Sequence, residues 1–201
     1  MDTYKTISAP SDEILYKEKN SRFFGYVYPV CSEDEVKPLI EQLRKKHVGA
    51  VHFCYAWQTG AETIRYRAND DGEPSNTAGM PIYGQIQSFR ITNVMVVVVR
   101  FFGGVKLGVG GLISAYRTAA KMALEASEII EKTIDIDFIL SFGYKDMNKV
   151  MRIIKEKKLR IVSQELKIHC EITVSARKRD ADVALEAFSS VQGVKIIMRG
   201  S

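Results

Sequence analysis

The run NVMVVVVRFF, residues 93–102, is apolar on both faces that a strand presents, so it is expected at the centre of a sheet covered on two sides. EILYKEKN and SRFFGYVYPV read as neighbouring strands joined near Asn20, and HFCYAWQTG with ETIRYRA reads as a hairpin through Thr59 and Gly60. Ser32 and Glu35 have the spacing of a capping box ahead of a helix carrying Leu39, Ile40 and Leu43, whose start Pro38 obscures. A short helix bears Ile82, Ile86 and Phe89. In LISAYRTAAKMALEAS, residues Leu112, Ile113, Tyr116, Ala120 and Leu124 form the inward stripe of a long one. These elements predict an α+β domain over residues 1–130, with helices packed on one mixed sheet.

The pattern restarts near residue 130. Ile134, Ile136 and Phe138 alternate with Thr133, Asp135 and Asp137 as in a half-buried strand, and Met147, Val150, Met151 and Ile154 follow at helical spacing. LRIVS and KIHCEITVSA read as strands, RDADVALEAFSSV as a helix and GVKIIM as a final strand. The resulting order, βαββαβ, is the ferredoxin-like plan for residues 131–201.

Composition narrows the class. A hydrophobic content of 46% is enough for packed cores, and no apolar run reaches the roughly 20 residues of a membrane helix. The opening MDTYKTISAPSDE lacks the basic start and apolar core of a secretory signal, so no membrane association and a cytoplasmic location are expected. Cys31, Cys54 and Cys170 are odd in number and far apart, which argues against a disulfide framework or a zinc knuckle. His52 and Cys54 face one side of a strand with nothing nearby to complete a tetrahedral site, so no metal and no cofactor are expected. The net charge is +5, and residues 131–201 hold 14 Lys and Arg against 10 Asp and Glu, compared with 15 against 14 before them. Most of the excess therefore belongs to the second domain, where Lys145, Lys149 and Arg152, and then Arg177, Lys178 and Arg179, are candidate nucleic-acid contacts. Aromatic stacking of bases is not expected there. The alternate face of the strands carries Asp135, Asp137, His169, Glu171 and Thr173.

Two loops carry the candidate chemistry. Gly103, Gly104, Gly108, Gly110 and Gly111 lie between the central strand and the long helix, where backbone N–H groups at a helix start attract anions. With Arg100, Lys106 and Arg117 they form a candidate anion or phosphate site. No G-K-[ST] ends the loop as a P-loop requires, and Ile113 stands where a dinucleotide fingerprint beginning at Gly108 needs its third glycine. Close approach of helix to sheet explains such glycines equally well. In NDDGEPSNTAG, residues 69–79, Asp70, Asp71 and Glu73 would serve as a metal or acid–base set, or else as turn carboxylates that are solvated or paired with Arg100 or Lys106. No nucleophile motif accompanies them, and no catalytic residue is assigned.

DDGEPSNTAGMPI at 70–82, VVVVRFFGGVKLGVGGLISAYRTAA at 96–120, NSRFFGYVYPV and AVHFCYAW closely resemble the signature segments of the YigZ/IMPACT family. The resemblance implies a first domain similar to the β-α domain shared by a small-subunit ribosomal protein and domain IV of elongation factor G. It also implies a ferredoxin-like second domain similar to that factor's C-terminal domain. Asn76 stands where family members often have Gly. Eukaryotic members are translational regulators, so the resemblance implies a non-enzymatic, translation-associated regulator that binds RNA or the ribosome, or a protein partner of the translation machinery. An enzyme acting on a phosphorylated small molecule through the two loops, and a protein-interaction module, are the alternatives.

Overall fold

The structure is a computed structural model and describes residues 2–199. Its α+β chain divides into two compact units, Tyr4–Lys132 and Thr133 onward, the latter joined by the first residues up to Thr3. In the first unit, β2 (Ile14–Glu18) and β3 (Ser21–Pro29) form a hairpin. Its two turn residues, Lys19 and Asn20, have φ of 44° and 66°, the left-handed pair that matches strand twist in a two-residue turn. A capping box from Ser32 and Glu35 opens a single 3₁₀ turn that runs into α1 (Val36–Lys46), so Pro38 falls in the first helical turn, where no intrahelical N–H is needed. Then come β4 (His52–Thr59), β5 (Arg65–Asn69), α2 (Gly79–Phe89), β6 (Val94–Phe101) and α3 (Gly108–Glu125). A separate two-stranded sheet joins β1 (Thr3–Ile7) to β7 (Ile129–Thr133).

The main sheet has the order β2-β3-β6-β4-β5, and every pair in it is antiparallel. This corrects the expectation of a mixed sheet. The crossover through α1 leaves β3 and β4 parallel to each other, but β6 inserts between them and runs against both. Helices also cover both faces, which is why β6 is apolar on both sides from Val94 to Val99. Val94, Val96 and Val98 pack with Ile82, Ile86, Tyr116, Ala120 and Leu124 of α2 and α3. Met95, Val97 and Val99 pack on the opposite face with Leu43 of α1, Phe53 and Trp57. Each such fully buried side chain contributes about 1.5–3 kcal/mol. Gly25 permits the close seating of α3, since a Cβ there would lie 2.9 Å from the Ala119 carbonyl oxygen. On the α1 face, Tyr26 donates its hydroxyl proton to Glu13 and lies 2.5 Å from His47 Nε2, which therefore carries the proton in that contact.

The second unit runs β8 (Asp135–Gly143), α4 (Met147–Glu156), β9 (Arg160–Glu165), β10 (His169–Arg177), α5 (Ala181–Ser189) and β11 (Lys195–Arg199). Its antiparallel sheet has the order β11-β8-β10-β9. Phe138, Leu140, Phe142, Ile172 and Val174 meet Val150, Ile153, Ile154 and Phe188 of the two helices. Ile153 takes the buried place on α4 that the periodicity offers to Met151, which is exposed. Among the described residues no helix is long and apolar enough to cross a membrane.

Candidate functional site

The acidic loop turns its carboxylates inward, and each meets a different demand. Asp70 acts as an anion at the start of α2, whose own N-cap, Ala78, has no side-chain acceptor. Its Oδ1 accepts from the Ala78 and Gly79 amides at 3.0 and 2.8 Å, and its Oδ2 accepts from Asn76 N at 2.9 Å. Asp71 takes both oxygens to Arg44 NH2 at 2.9 Å and accepts from Phe53 N at 2.6 Å, which ties the loop to α1 and β4. Glu73 is the most enclosed, with a side chain 4% exposed. Its Oε1 lies 2.5 Å from Arg100 NH1 and 2.7 Å from the Tyr116 hydroxyl. Asn76 has φ of 61°, a left-handed position that Gly occupies freely and Asn tolerates.

Burial, with Cys54 and Glu73 beside it, pushes the Tyr116 phenol far up, so it stays a donor to Glu73. Burial likewise raises the Cys54 thiol, which donates to the Asp70 carbonyl at 3.0 Å. The pairing of Glu73 with Arg100 is one of the turn readings open to the sequence, whereas Asp71 pairs with Arg44, which the sequence did not single out. All three carboxylates are thus engaged. No group of three or more His, Cys, Asp or Glu that would hold a metal occurs among the described residues.

His52 is the residue that sequence reasoning missed as a partner of this network. Its Nδ1 lies 2.8 Å from the Asp71 carbonyl oxygen, which requires the proton on Nδ1, and its Nε2 lies 3.8 Å from Glu73 Oε1. His52 and Arg100 are directly opposite on β4 and β6. Only the strand register brings them together, and no short-range signal reports it.

The glycine loop closes over this network and leaves an open cleft of about 430 Å³. α3 starts at Gly108, four residues before the apolar stripe begins at Leu112, because packing of Leu112, Ala115 and Tyr116 overrides the low helix propensity of the glycines. Gly103 is required by contact: any Cβ there would collide with the backbone of Asn20 and Ser21. Gly110 has an ordinary φ and nothing within 4 Å of the space a Cβ would fill. Arg100, Lys106 and Gly108 line the cleft together with His52 and Glu73, and Lys106 is exposed. Gly104, Gly110, Gly111 and Arg117 lie outside the lining, and Arg117 is on the exposed side of α3.

The cations of the second unit are placed differently. Lys145 is exposed in the turn before α4, Lys149 pairs with Asp146 at 3.0 Å and Arg152 with Glu156 at 3.7 Å. Arg177 ends β10 and lies 2.6 Å from Asp2, Arg179 reaches Asp2 at 3.9 Å and Asp180 at 3.5 Å, and Lys178 is not free either. β8 and β10 are antiparallel with Arg177 opposite Asp135 and His169 opposite Gly143. Gly143, which precedes the turn carrying Lys145, and Arg177 therefore lie at opposite ends of this strand pair, roughly 27 Å apart at 3.4 Å per residue.

Residues 19–124, which include both signature loops and every residue of the cleft, match the family model of the Impact N-terminal domain. The chain belongs to the IMPACT family. It is 33% identical to IMPACT family member YvyE of Bacillus subtilis over 78% of this chain and 71% of that protein. It is 31% identical to an IMPACT family member of Haemophilus influenzae over 90% of this chain and 88% of that protein. The human Protein IMPACT is 33% identical over a shorter stretch, 45% of this chain and 29% of that protein. Among solved structures, one described as a hypothetical protein superposes with a TM-score of 0.78 at 25% identity, covering 98% of this chain and 97% of its own.

Proposed function

We propose that this IMPACT-family protein is a non-enzymatic, translation-associated regulator of the cytoplasm that binds RNA or the ribosome, with the cleft of its first unit as the principal contact. The engagement of Glu73 carries this reading. An acid–base or metal-dependent enzyme needs a carboxylate free to exchange protons or ligands, and here Glu73 is buried against Arg100 while Asp70 and Asp71 hold the loop. Lys106 and the residues that open α3, Gly108 to Gly110, are exposed, as a binding surface requires. The order βαββαβ with its outer strands β11 and β9 supports a ferredoxin-like second domain, and the first unit supports the likeness to the ribosomal-protein and elongation-factor domain. The family resemblance connects both to translation.

The test is sedimentation of the purified chain with ribosomes at low and near-physiological salt. Co-sedimentation that weakens as salt rises is expected, because phosphate contacts release condensed counterions. A chain that stays in the supernatant at low salt and also fails to bind single-stranded RNA refutes the reading. Turnover of a phosphorylated metabolite that requires Mg²⁺ and is lost on Glu73→Gln replaces it with the enzymatic alternative.

A further inference from the structure

The cleft beside α3 has a shape and a chemistry more specific than a general basic surface. Its walls are apolar: Phe102, Leu107, Val109, Leu112 and Pro74 line it, and Phe102 and Val109 are 50% and 60% exposed. At one end is the start of α3, where N-cap Leu107 offers no side-chain acceptor, the first turn contains no acidic residue and Lys106 is exposed. Arg100, only 5% exposed, also lines the cleft, and its Nε has no hydrogen-bond partner among the described residues. Its guanidinium carbon lies 5.5 Å from the centroid of the half-exposed Phe102 ring. On the wall, His52 is held by its Nδ1–H, which leaves Nε2 directed toward Glu73 within the cleft lining.

A bare phosphate would use only the α3 end and leave the apolar walls wet. An acidic peptide would bring one carboxylate but no flat surface to match Phe102. A ligand with a planar apolar body and an anionic end uses both parts, and about 430 Å³ suits one such unit rather than several. We propose that this cleft binds a nucleoside phosphate, with the base against Phe102 and the phosphate at Lys106 and the first amides of α3. The nucleotide comes either free from solution or as one residue of a single-stranded RNA. The second source rests on the RNA-binding reading above.

Gly110→Asp is the decisive variant. It places a carboxylate in the first turn of α3, in open space, where an acidic side chain suits the helix dipole, so the melting temperature should hold or rise while anion binding falls. The full-length protein is titrated calorimetrically with AMP, UMP, inorganic phosphate, a ten-residue single-stranded RNA and a polyglutamate peptide. Nucleotide or RNA binding is expected to weaken about tenfold or more in Gly110→Asp. Phe102→Ala is expected to weaken nucleotides by a similar factor and to leave inorganic phosphate unchanged, since stacking belongs to the base. Binding of AMP without RNA identifies a free nucleotide as the ligand, and binding of RNA with AMP competing identifies a strand. No saturable binding of either nucleotide or RNA, nucleotide affinity in both variants unchanged from that of the unsubstituted protein, or binding of polyglutamate alone overturns the proposal. Ribosome sedimentation without nucleotide binding overturns this inference and leaves the proposed function standing. Binding of free nucleotide with neither RNA binding nor ribosome sedimentation does the reverse.

Discussion

The two signature loops meet at Arg100 and Glu73, yet they solve opposite problems. The acidic loop brings three carboxylates in and satisfies each with backbone amides or a cation, so it behaves as part of the core. The glycine loop reaches the core through Gly103 N, which donates to Ser21 Oγ at 3.2 Å, and leaves its helix start and Lys106 outside. The contrast shows that an acidic, turn-rich segment beside a cleft is not by its charge a catalytic segment. What matters is whether its carboxylates have spare valence, and these do not.

Breaking the acidic side should have the largest effect. Glu73→Ala leaves the Arg100 guanidinium buried without its counter-charge, which costs about 3–5 kcal/mol. Replacing both partners, as Arg100→Met with Glu73→Leu, should recover much of that loss in urea denaturation. A loss below about 1 kcal/mol for Glu73→Ala would mean that Glu73 is not a structural anchor and would return it to the list of catalytic candidates. Asp70→Ala should cost less, about 1–2 kcal/mol, the usual size of an N-cap contribution. Its signature is local: hydrogen exchange at the Ala78 and Gly79 amides should accelerate more than exchange in β6. Uniform acceleration across the unit would contradict a capping role.

The elements of both units were legible because each carries its own period: β6 apolar on both sides from Val94 to Val99, α3 a stripe from Leu112, β8 an alternation of Ile136 and Phe138 with Asp135 and Asp137. The capping box at Ser32 and Glu35 was legible for the same reason, as all its partners lie within four residues. The site was legible only as two separate loops. Arg100 lies 27 positions from Glu73, and Tyr116 lies 43 from it, so their meeting depends on β6 lying between β3 and β4. The mixed-sheet expectation failed at that same insertion. His52 was hidden similarly, because its role comes from cross-strand register with Arg100 rather than from any neighbour in the chain. The charge excess after residue 130 was a true count that said nothing of geometry or pairing, and Lys149, Arg152, Arg177 and Arg179 all lie against carboxylates.

The smallest expected effect sharpens the comparison most, because it separates glycines that look equivalent in the sequence. Gly110→Ala adds a methyl group into open space at an ordinary φ, inside a helix, where Gly is disfavoured by backbone entropy. It should therefore stabilise the unit, by about 0.5–1 kcal/mol. Gly103→Ala should do the opposite, since its Cβ would strike the Asn20 and Ser21 backbone, and the hairpin turn cannot retreat without losing the Ser21 contact to Gly103 N. Thermal melts of the two variants, run side by side, should move in opposite directions. If both lower stability, then the start of α3 is as tightly determined from within as the Gly103 corner. The open helix start would then be architecture, and the outward-facing half of the comparison would fail.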